Sequence, residues 1–263
     1  MERPATGARV GKRKAVDRSV STSTRLLLAA ERLIAQDGVA QVSMRRINAE
    51  AGTGNISAVH YYYGSLERVI AAIFDLRVPA IDARRNEMLD ELQARHGPPG
   101  VHDILQAVIW PLAEHMLSQP TDNCYVRFVA AINRAPRFDM WNVVSHRHRR
   151  GVTRSYILLR RALSTIPKDV LHARLMLAWR EVIYTLADVE LMIQARHPNL
   201  RDPLVMFHTT DLVTRIGCSL GAPVSEATQV ARRILLSKSA SEKGTLFGLD
   251  SVWAFGSRHL PSA

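Results

Sequence analysis

Apolar positions along this chain recur at three- and four-residue intervals, and alternation of period two is scarce. That pattern predicts helices rather than a sheet. Glycine and proline cut it into pieces of helical length. A first helix is expected from Thr22 to Asp37, with Leu27, Ala30, Leu33 and Ile34 on one stripe and Gly38 as its stop. Ser43 suits the cap of a short second helix that turns Met44, Ile47 and Ala51 inward and ends at Gly52. A third short helix is expected from about Gly54 to Tyr62, broken by Gly64. Ser65 then caps a long helix from Leu66 to about Arg95. Glu67 complements the dipole in its first turn, and Pro79 is expected to kink or interrupt it.

Gly97-Pro98-Pro99-Gly100 is the strongest loop signal. Beyond it, helical pattern covers 101–118, 121–133, 137–164, 167–196 and 203–220, with Pro120, Pro136, Pro167 and Pro203 at or beside the starts. Asp202-Pro203 reads as a cap followed by proline at the first helical position. Residues 225–237 suit one more helix. In 167–196, Leu171, Leu175, Ala178, Val182, Leu186, Val189 and Ile193 form one stripe. Met176, Trp179, Ile183 and Met192 add a second side, so burial on more than one side is expected. Leu204, Leu212, Ile216 and Leu220 form the stripe of 203–220, widened by Val205 and Val213.

Composition allows a packed core: 47% of the 263 residues are hydrophobic and 22% charged. No apolar run reaches the roughly 18 residues of a membrane span. The N-terminus is basic and polar with no apolar stretch behind it, so a secretory signal is not expected and the cytoplasm is the default. Cys124 and Cys218 stand far apart and suggest neither a disulfide framework nor a metal site. The formal net charge is +11, and residues 1–25 alone carry +5, from Arg3, Arg9, Lys12, Arg13, Lys14, Arg18 and Arg25 against Glu2 and Asp17. Residues 1–20 therefore read as a disordered basic arm suited to a polyanion, either nucleic acid or an anionic membrane surface, or else as a solvated tail.

Residues 25–65 place three short helices in succession, with the tight turn Ala51-Gly52-Thr53 between the second and third. A helix-turn-helix needs this arrangement, because the second element braces the third while the third enters the major groove. The third element has a small, polar first turn that permits close approach to DNA. Gly54, Asn55, Ser57 and His60 are candidates for base edges or phosphates, and Tyr61 and Tyr62 offer hydroxyls to phosphate oxygens. Ile56, Val59 and Tyr63 are expected to pack inward. Packing alone is the competing explanation for three tyrosines in a row.

Three pieces then carry a resemblance. They are Leu28 to Gly38 (LAAERLIAQDG), Val42 to Gly52 (VSMRRINAEAG) and Ser57 to Glu67 (SAVHYYYGSLE), in order and correctly spaced. Residues 25–75 resemble the DNA-binding domain of the TetR family of bacterial transcriptional regulators. The family's usual Gly-Ser-Lys step reads Gly64-Ser65-Leu66 here, so its lysine phosphate contact is absent. The interval from Gly52 to Gly64 is one residue longer than in the commonest members, which leaves the register at Gly54, Asn55 and Ser57 open by one step. The resemblance implies an all-α protein with an N-terminal three-helix helix-turn-helix domain and a larger helical ligand-binding and dimerisation domain. It implies a homodimer on a palindromic operator in double-stranded DNA, with repression released by a small-molecule effector. By position it implies phosphate contacts from Ser43, Tyr61 and Tyr62, with Arg45 near the backbone. Arg13 and Lys14 are candidates for an adjacent groove that the resemblance itself does not carry over. The expected domains are the arm at 1–20, the helix-turn-helix at 21–66, the effector and dimerisation domain at 67–237 and a tail at 238–263.

For an effector pocket the candidate walls are Trp110, Met116, Tyr125, Phe128, Trp141 and Tyr156, with Arg127, Asn133 and His115 as polar anchors. Ordinary core packing competes for each of them. The run His146-Arg147-His148-Arg149-Arg150 reads as a solvated helix face or an acid-binding cluster, and its spacing suits no metal. The two long C-terminal helices are the expected dimer seam, or else an intramolecular core. No Gly-rich phosphate loop, His-Glu-x-x-His or Gly-x-Ser-x-Gly occurs, so neither an enzyme nor a cofactor is expected. The competing function is a helical protein-interaction or membrane-surface module that uses the basic arm. The apolar interior points to a hydrophobic or amphipathic effector.

Overall fold

The computed structural model describes residues 21–55, 57–118, 123–136, 138, 144, 148–196 and 198–241. Among them are ten α-helices and no strand: α1 (Thr22–Asp37), α2 (Met44–Glu50), α3 (Ala58–Tyr63), α4 (Leu66–Ala94), α5 (Val101–Ser118), α6 (Tyr125–Arg134), α7 (Arg150–Ala162), α8 (Lys168–Ala195), α9 (Arg201–Gly221) and α10 (Glu226–Ser241). The expected basic arm at 1–20, together with Ile56, Pro120, Trp141, His146, Arg147 and the aromatic tail beyond 241, lies outside the described residues. No helix among those described is long and apolar enough to cross a membrane.

Hydroxyl caps start the first helices where the sequence expects them. Ser21 accepts from Thr24 N at 3.2 Å, Ser43 from Arg46 N at 3.3 Å and Ser65 from Arg68 N at 3.3 Å. Each satisfies a backbone donor that the helix itself cannot. Helices α1, α2 and α3 close on the first turns of α4 around Leu26, Leu33, Ile47, Val59, Val69 and Ile70, all buried. The same α1 also lies along α6, so the small N-terminal unit is seated on the larger one. Glu31 on α1 is 2% exposed. Arg77 of α4 meets its carboxyl group there as a fork, at 2.9 and 3.0 Å, so the buried group is paired.

The larger part is a helical bundle in which α5 packs between α4 and α9, α8 lies against α6 and α9, and α7 covers α4 and α5. At the heads of two of its helices a buried carboxylate from another helix accepts from backbone N–H groups, at α6 beside the Asn123 carboxamide, whose Oδ1 accepts from Tyr125 N at 3.3 Å. Glu190 of α8 accepts from Val126 N at 3.2 Å and Arg127 N at 2.9 Å at the head of α6. Asp82 of α4 accepts from Gly151 N at 3.1 Å at the head of α7 and pairs with Arg85 at 3.3 Å. A Cβ at Gly151 would stand 2.8 Å from both Asp82 Oδ1 and Arg85 Cδ, so only glycine allows this approach.

The structure departs from the sequence reading in several places. Helix α3 begins at Ala58, not near Gly54, because the Asn55 carboxamide accepts from Ser57 N at 2.9 Å and holds that stretch as a turn. Pro79 sits inside α4 without ending it; buried Phe74 and Ile81 anchor the turns on either side. The segment expected at 137–164 is helical from Arg150, where Asp82 fixes the start, and described Phe138 and Val144 are not helical. The 203–220 helix begins at Arg201, and Pro203 falls in its first turn, where no N–H is missed. Arg149 is no part of a solvated face: it is buried, and its guanidinium donates to Val144 O at 2.8 Å.

Candidate DNA interface and ligand cavity

The link between α2 and α3 is built on one buried amide. Asn48 is 2% exposed. Its Oδ1 accepts from Val59 N at 3.0 Å and from Thr53 Oγ1 at 3.3 Å, while its Nδ2 donates to Met44 O at 3.2 Å. The side chain thus caps α3 from α2 and fixes the angle between them. Tyr63 secures the other end, its hydroxyl donating to Ser23 O at 3.0 Å on α1. Burial raises the Tyr63 pKa above the usual phenol value, so it stays a donor at neutral pH. Gly64 adopts φ +75, a left-handed turn natural to glycine, and lets α4 start immediately afterwards.

With α3 braced, its outer side is left to solvent. Tyr61 is 83% exposed and Tyr62 48%. Their rings meet edge to face at 5.3 Å, which limits how far either swings. His60, Ser57, Asn55 and Gly54 are exposed beside them, as are Ser43 and Arg45 at the start of α2. All eight expected contact residues therefore lie at the surface. Their roles divide, however: Ser43 is committed to its cap, Asn55 to its turn, and the His60 Nδ1 lies 3.1 Å from Gly64 O. Gly54, Asn55 and Ser57 belong to the turn before α3 rather than to the helix. Val59 is buried and Tyr63 half-buried, as expected.

Residues 26–73 match the family model for bacterial regulatory proteins of the tetR family. The N-terminal unit is a TetR-family DNA-binding domain. The chain is accordingly a DNA-binding transcriptional regulator, and regulation rather than catalysis is what members of this family do. The match ends inside α4. No curated relative matches the chain.

Two residues of this TetR-family domain escape a reading based on surface chemistry. Asn48 reads as an ordinary polar residue of α2; the available signal was its place four residues after inward-facing Met44 and beside Ile47. Arg68 is exposed in the first turn of α4, with its guanidinium passing Gly64. It brings a cation to the junction where the family's lysine is replaced by Leu66. Arg46 on α2, by contrast, is held by Asp37 at 2.6 Å.

Two small adjoining chambers open in the larger part, each of about 70 Å³. One lies between α5, α7, α8 and α9 and is apolar apart from Ser155 and Tyr156. The other lies between α4, α5, α6, α7 and α8, with Phe74, Tyr125 and Ile183 among its walls and Arg85, His148 and Arg149 among its polar groups. Val152 and Trp179 line both. Of the expected walls, Tyr156 and Tyr125 are there. Met116 and Phe128 are core instead, at 1% and 0% exposure, and Trp110 lines neither chamber. Trp179 carries the boundary, yet the sequence offered it only as a second apolar side of its helix.

The expected anchors His115, Arg127 and Asn133 also line neither chamber. Arg127 is occupied by Glu190 at 3.5 Å and Gln194 at 2.9 Å. His115 stacks edge-on against Tyr125 at 5.4 Å. Burial, reinforced by Arg77, pulls its pKa down to about 4, so it is neutral at physiological pH. Burial pushes Glu190 up to about 7 against the two N–H donors and Arg127 that favour its ionised form. Cys124, beside Glu31, is pushed to about 12 by burial first and by Glu31 and Glu190 next, which makes it an unreactive thiol.

Proposed function

We propose that this regulator is a cytoplasmic repressor. In this reading it binds a palindromic operator as a homodimer and leaves it when a small apolar or amphipathic ligand parts the walls of the paired chambers. Tyr61, Tyr62 and Arg45 contact phosphates, and the Ser43 hydroxyl, which accepts at its cap, donates its own hydrogen to one. His60, with Gly54, Asn55 and Ser57 in the preceding turn, faces the bases or the backbone at the groove edge. The dimer seam is the outer side of α8 and α9, where Leu177, Leu191, Met206 and Phe207 are 52–68% exposed in the single chain.

The observation that carries the reading is the continuity of α4. It starts at the Ser65 cap, one residue after α3 is stopped, and passes through the chamber wall at Phe74, Val78, Ile81 and Arg85 without a break. The Glu31–Arg77 fork ties α1 to the same helix. A ligand that displaces α4 therefore carries both ends of the DNA-reading unit with it. Operator DNA selects dimers whose two α3 helices fit successive major grooves, and a ligand that prefers another separation weakens DNA binding by the ratio of its two affinities. A hundredfold release needs about 2.7 kcal/mol of such preference.

Selection of bound fragments from random duplex DNA tests this reading. An inverted-repeat consensus is expected, with affinity falling steeply as salt rises. Recovery of no enriched sequence at any salt concentration would overturn it.

A further inference from the structure

We infer that the ligand of the paired chambers is an uncharged, mostly hydrocarbon molecule with one carbonyl-type oxygen, which accepts from the Tyr125 hydroxyl while the hydrocarbon part runs past Trp179 into the apolar chamber. This rests on the reading of the chambers as the effector site and adds the ligand's charge, its polar group and the residue that orients it.

Charge in the walls is already compensated by the protein itself. The Arg85 guanidinium donates to Asp82 Oδ1 at 3.3 Å and to Val108 O at 3.2 and 3.3 Å. Arg149 donates to Val144 O from Nε at 2.8 Å and from a terminal nitrogen as well. His148 lies 3.7 Å from the Asp75 carboxylate. Among the described residues no carboxylate lines either chamber. In the apolar chamber the Ser155 hydroxyl donates to Gly151 O at 2.7 Å, and Leu105, Ile109, Leu159 and Met176 make much of the rest. Tyr125 differs. It lines the other chamber, is 3% exposed, and its hydroxyl has no hydrogen-bond partner among the described residues. Its ring meets those of Phe74 at 6.4 Å, Phe128 at 6.2 Å and His115 at 5.4 Å. It is the first residue of α6, and Glu190 holds the next two N–H groups. Burial first, and Glu31 next, raise the phenol pKa above its usual value, so the group stays an O–H donor.

An ion entering here loses its water and gains no uncommitted counter-charge. An anion would have to draw donors away from Asp82 or from the Val108 and Val144 carbonyls, leaving those acceptors bare in the interior. A cation meets Arg85 and Arg149. A neutral hydrocarbon incurs neither penalty and is driven in by the water it leaves. The unspent group in the wall is a donor, so the one polar atom the site suits is an acceptor. Its bond to Tyr125 replaces the one it gave up in water and satisfies the buried hydroxyl. The shared wall of Val152 and Trp179 makes the two chambers neighbours, so one linear molecule reaches both. Each chamber is far below the ~300 Å³ of an ordinary small-molecule site, so entry must separate α4, α7 and α8. That separation is the movement release requires.

The test titrates the full-length chain, free and on a selected operator duplex, with 2-octanone, its isostere 2-methyl-1-octene (a methylene in place of the carbonyl oxygen), octanoate and octylamine. Tryptophan emission, taken as the difference from Trp179→Phe, reports binding; fluorescence anisotropy of the duplex reports release. 2-Octanone is expected to bind at least tenfold more tightly than either ion and to release the duplex. Tyr125→Phe removes only an oxygen that has no partner in the protein, so the chain should fold as before. It should weaken 2-octanone about fivefold, the loss of one hydrogen bond, and should not weaken the alkene. In the unaltered protein the infrared carbonyl stretch of bound 2-octanone should lie below its position in hexane, a signature that does not depend on the variant. Octanoate or octylamine binding as tightly as 2-octanone would overturn the neutral assignment and leave the effector site standing. An unshifted carbonyl stretch, or equal 2-octanone affinity in Tyr125→Phe, would overturn the place given to Tyr125. No binding by any probe, with the operator still held, would remove the effector reading itself and this proposal with it.

Discussion

At the scale of single residues the DNA-binding unit separates side chains that make the surface from those that hold it in place. Tyr61 and Tyr62 are exposed, and their ring contacts are with each other and with Tyr63, so Tyr61→Ala and Tyr62→Ala should each weaken operator binding about tenfold, the loss of one phosphate hydrogen bond. Stability should stay within about 0.5 kcal/mol, as usual for exposed sites; anisotropy titration and urea melts check the pair. Asn48→Ala should do the opposite in proportion. It orphans the Val59 N–H in the interior and should cost about 1–3 kcal/mol of stability, visible as a lower urea midpoint, before any effect on DNA. Proton linkage gives a second contrast. His115 has a folded pKa near 4, below its free value, so its contribution to stability is present above about pH 6.5 and is lost as pH falls through 4. Glu190 has a folded value near 7, above its free value, so its contribution is present below about pH 4.5 and is lost as pH rises through 7. The two oppose each other between pH 4.5 and 6.5. Thermal melts across this range should therefore tilt one way in His115→Gln, towards greater stability on acidification, and the other way in Glu190→Gln. Parallel profiles would show that neither group titrates as its surroundings dictate.

At the scale of elements, what the sequence made legible was whatever depends on neighbours along the chain. Serine caps, glycine stops and the three- and four-residue stripes place α1, α2 and α4 and bound α5 at Val101 and Ser118. The helix-turn-helix and its exposed tyrosines follow from the same local signals. What was hidden depends on groups far apart in sequence. The start of α3 is set by an amide inside a turn, and the starts of α6 and α7 by carboxylates on α8 and α4. Nothing in the residues around 125 or 150 announces those caps. The chamber walls were half-legible for the same reason: Tyr125 and Tyr156 suggest themselves as aromatics, whereas Trp179 and Arg149 gain their place only once α7 and α8 are packed. Gly151→Ala isolates one such long-range constraint. By helix propensity alone alanine would favour α7 by up to about 1 kcal/mol. Yet its methyl would meet Asp82 Oδ1 and Arg85 Cδ at 2.8 Å, atoms fixed by their own ion pair, and overpacking of this kind costs about 1–3 kcal/mol. The steric effect should win, and the melting temperature should drop. A rise would mean that the Asp82 cap yields easily and does not fix α7.

For the whole molecule, the proposed repressor turns on how two reading units would act together. A single unit presents one short helix and two tyrosines, and linking two of them raises the effective concentration of the second on the operator to about the millimolar range. The outer side of α8 and α9 is the surface on which that link is proposed. Phe207 is 68% exposed and Met206 52% in the single chain, on a helix whose other side carries buried Val205, Leu212, Val213 and Ile216. A charge at Phe207 therefore leaves the core of the protomer alone and strikes only what covers it from outside. Phe207→Glu, with Met206→Lys added if one charge is accommodated at the rim, should shift the chain from dimer to monomer in light scattering. Its urea melt should lose any dependence on protein concentration. Operator affinity should fall far more than the tenfold expected for Tyr61→Ala, because it loses a whole half-site rather than one contact. The Tyr61→Ala chain is the control and should remain a dimer. A Phe207→Glu protein that stays dimeric and binds the operator as before would place the seam elsewhere on the molecule, with the exposed apolar stripe of α10 at Val230 and Ile234 the next surface to test by the same substitution.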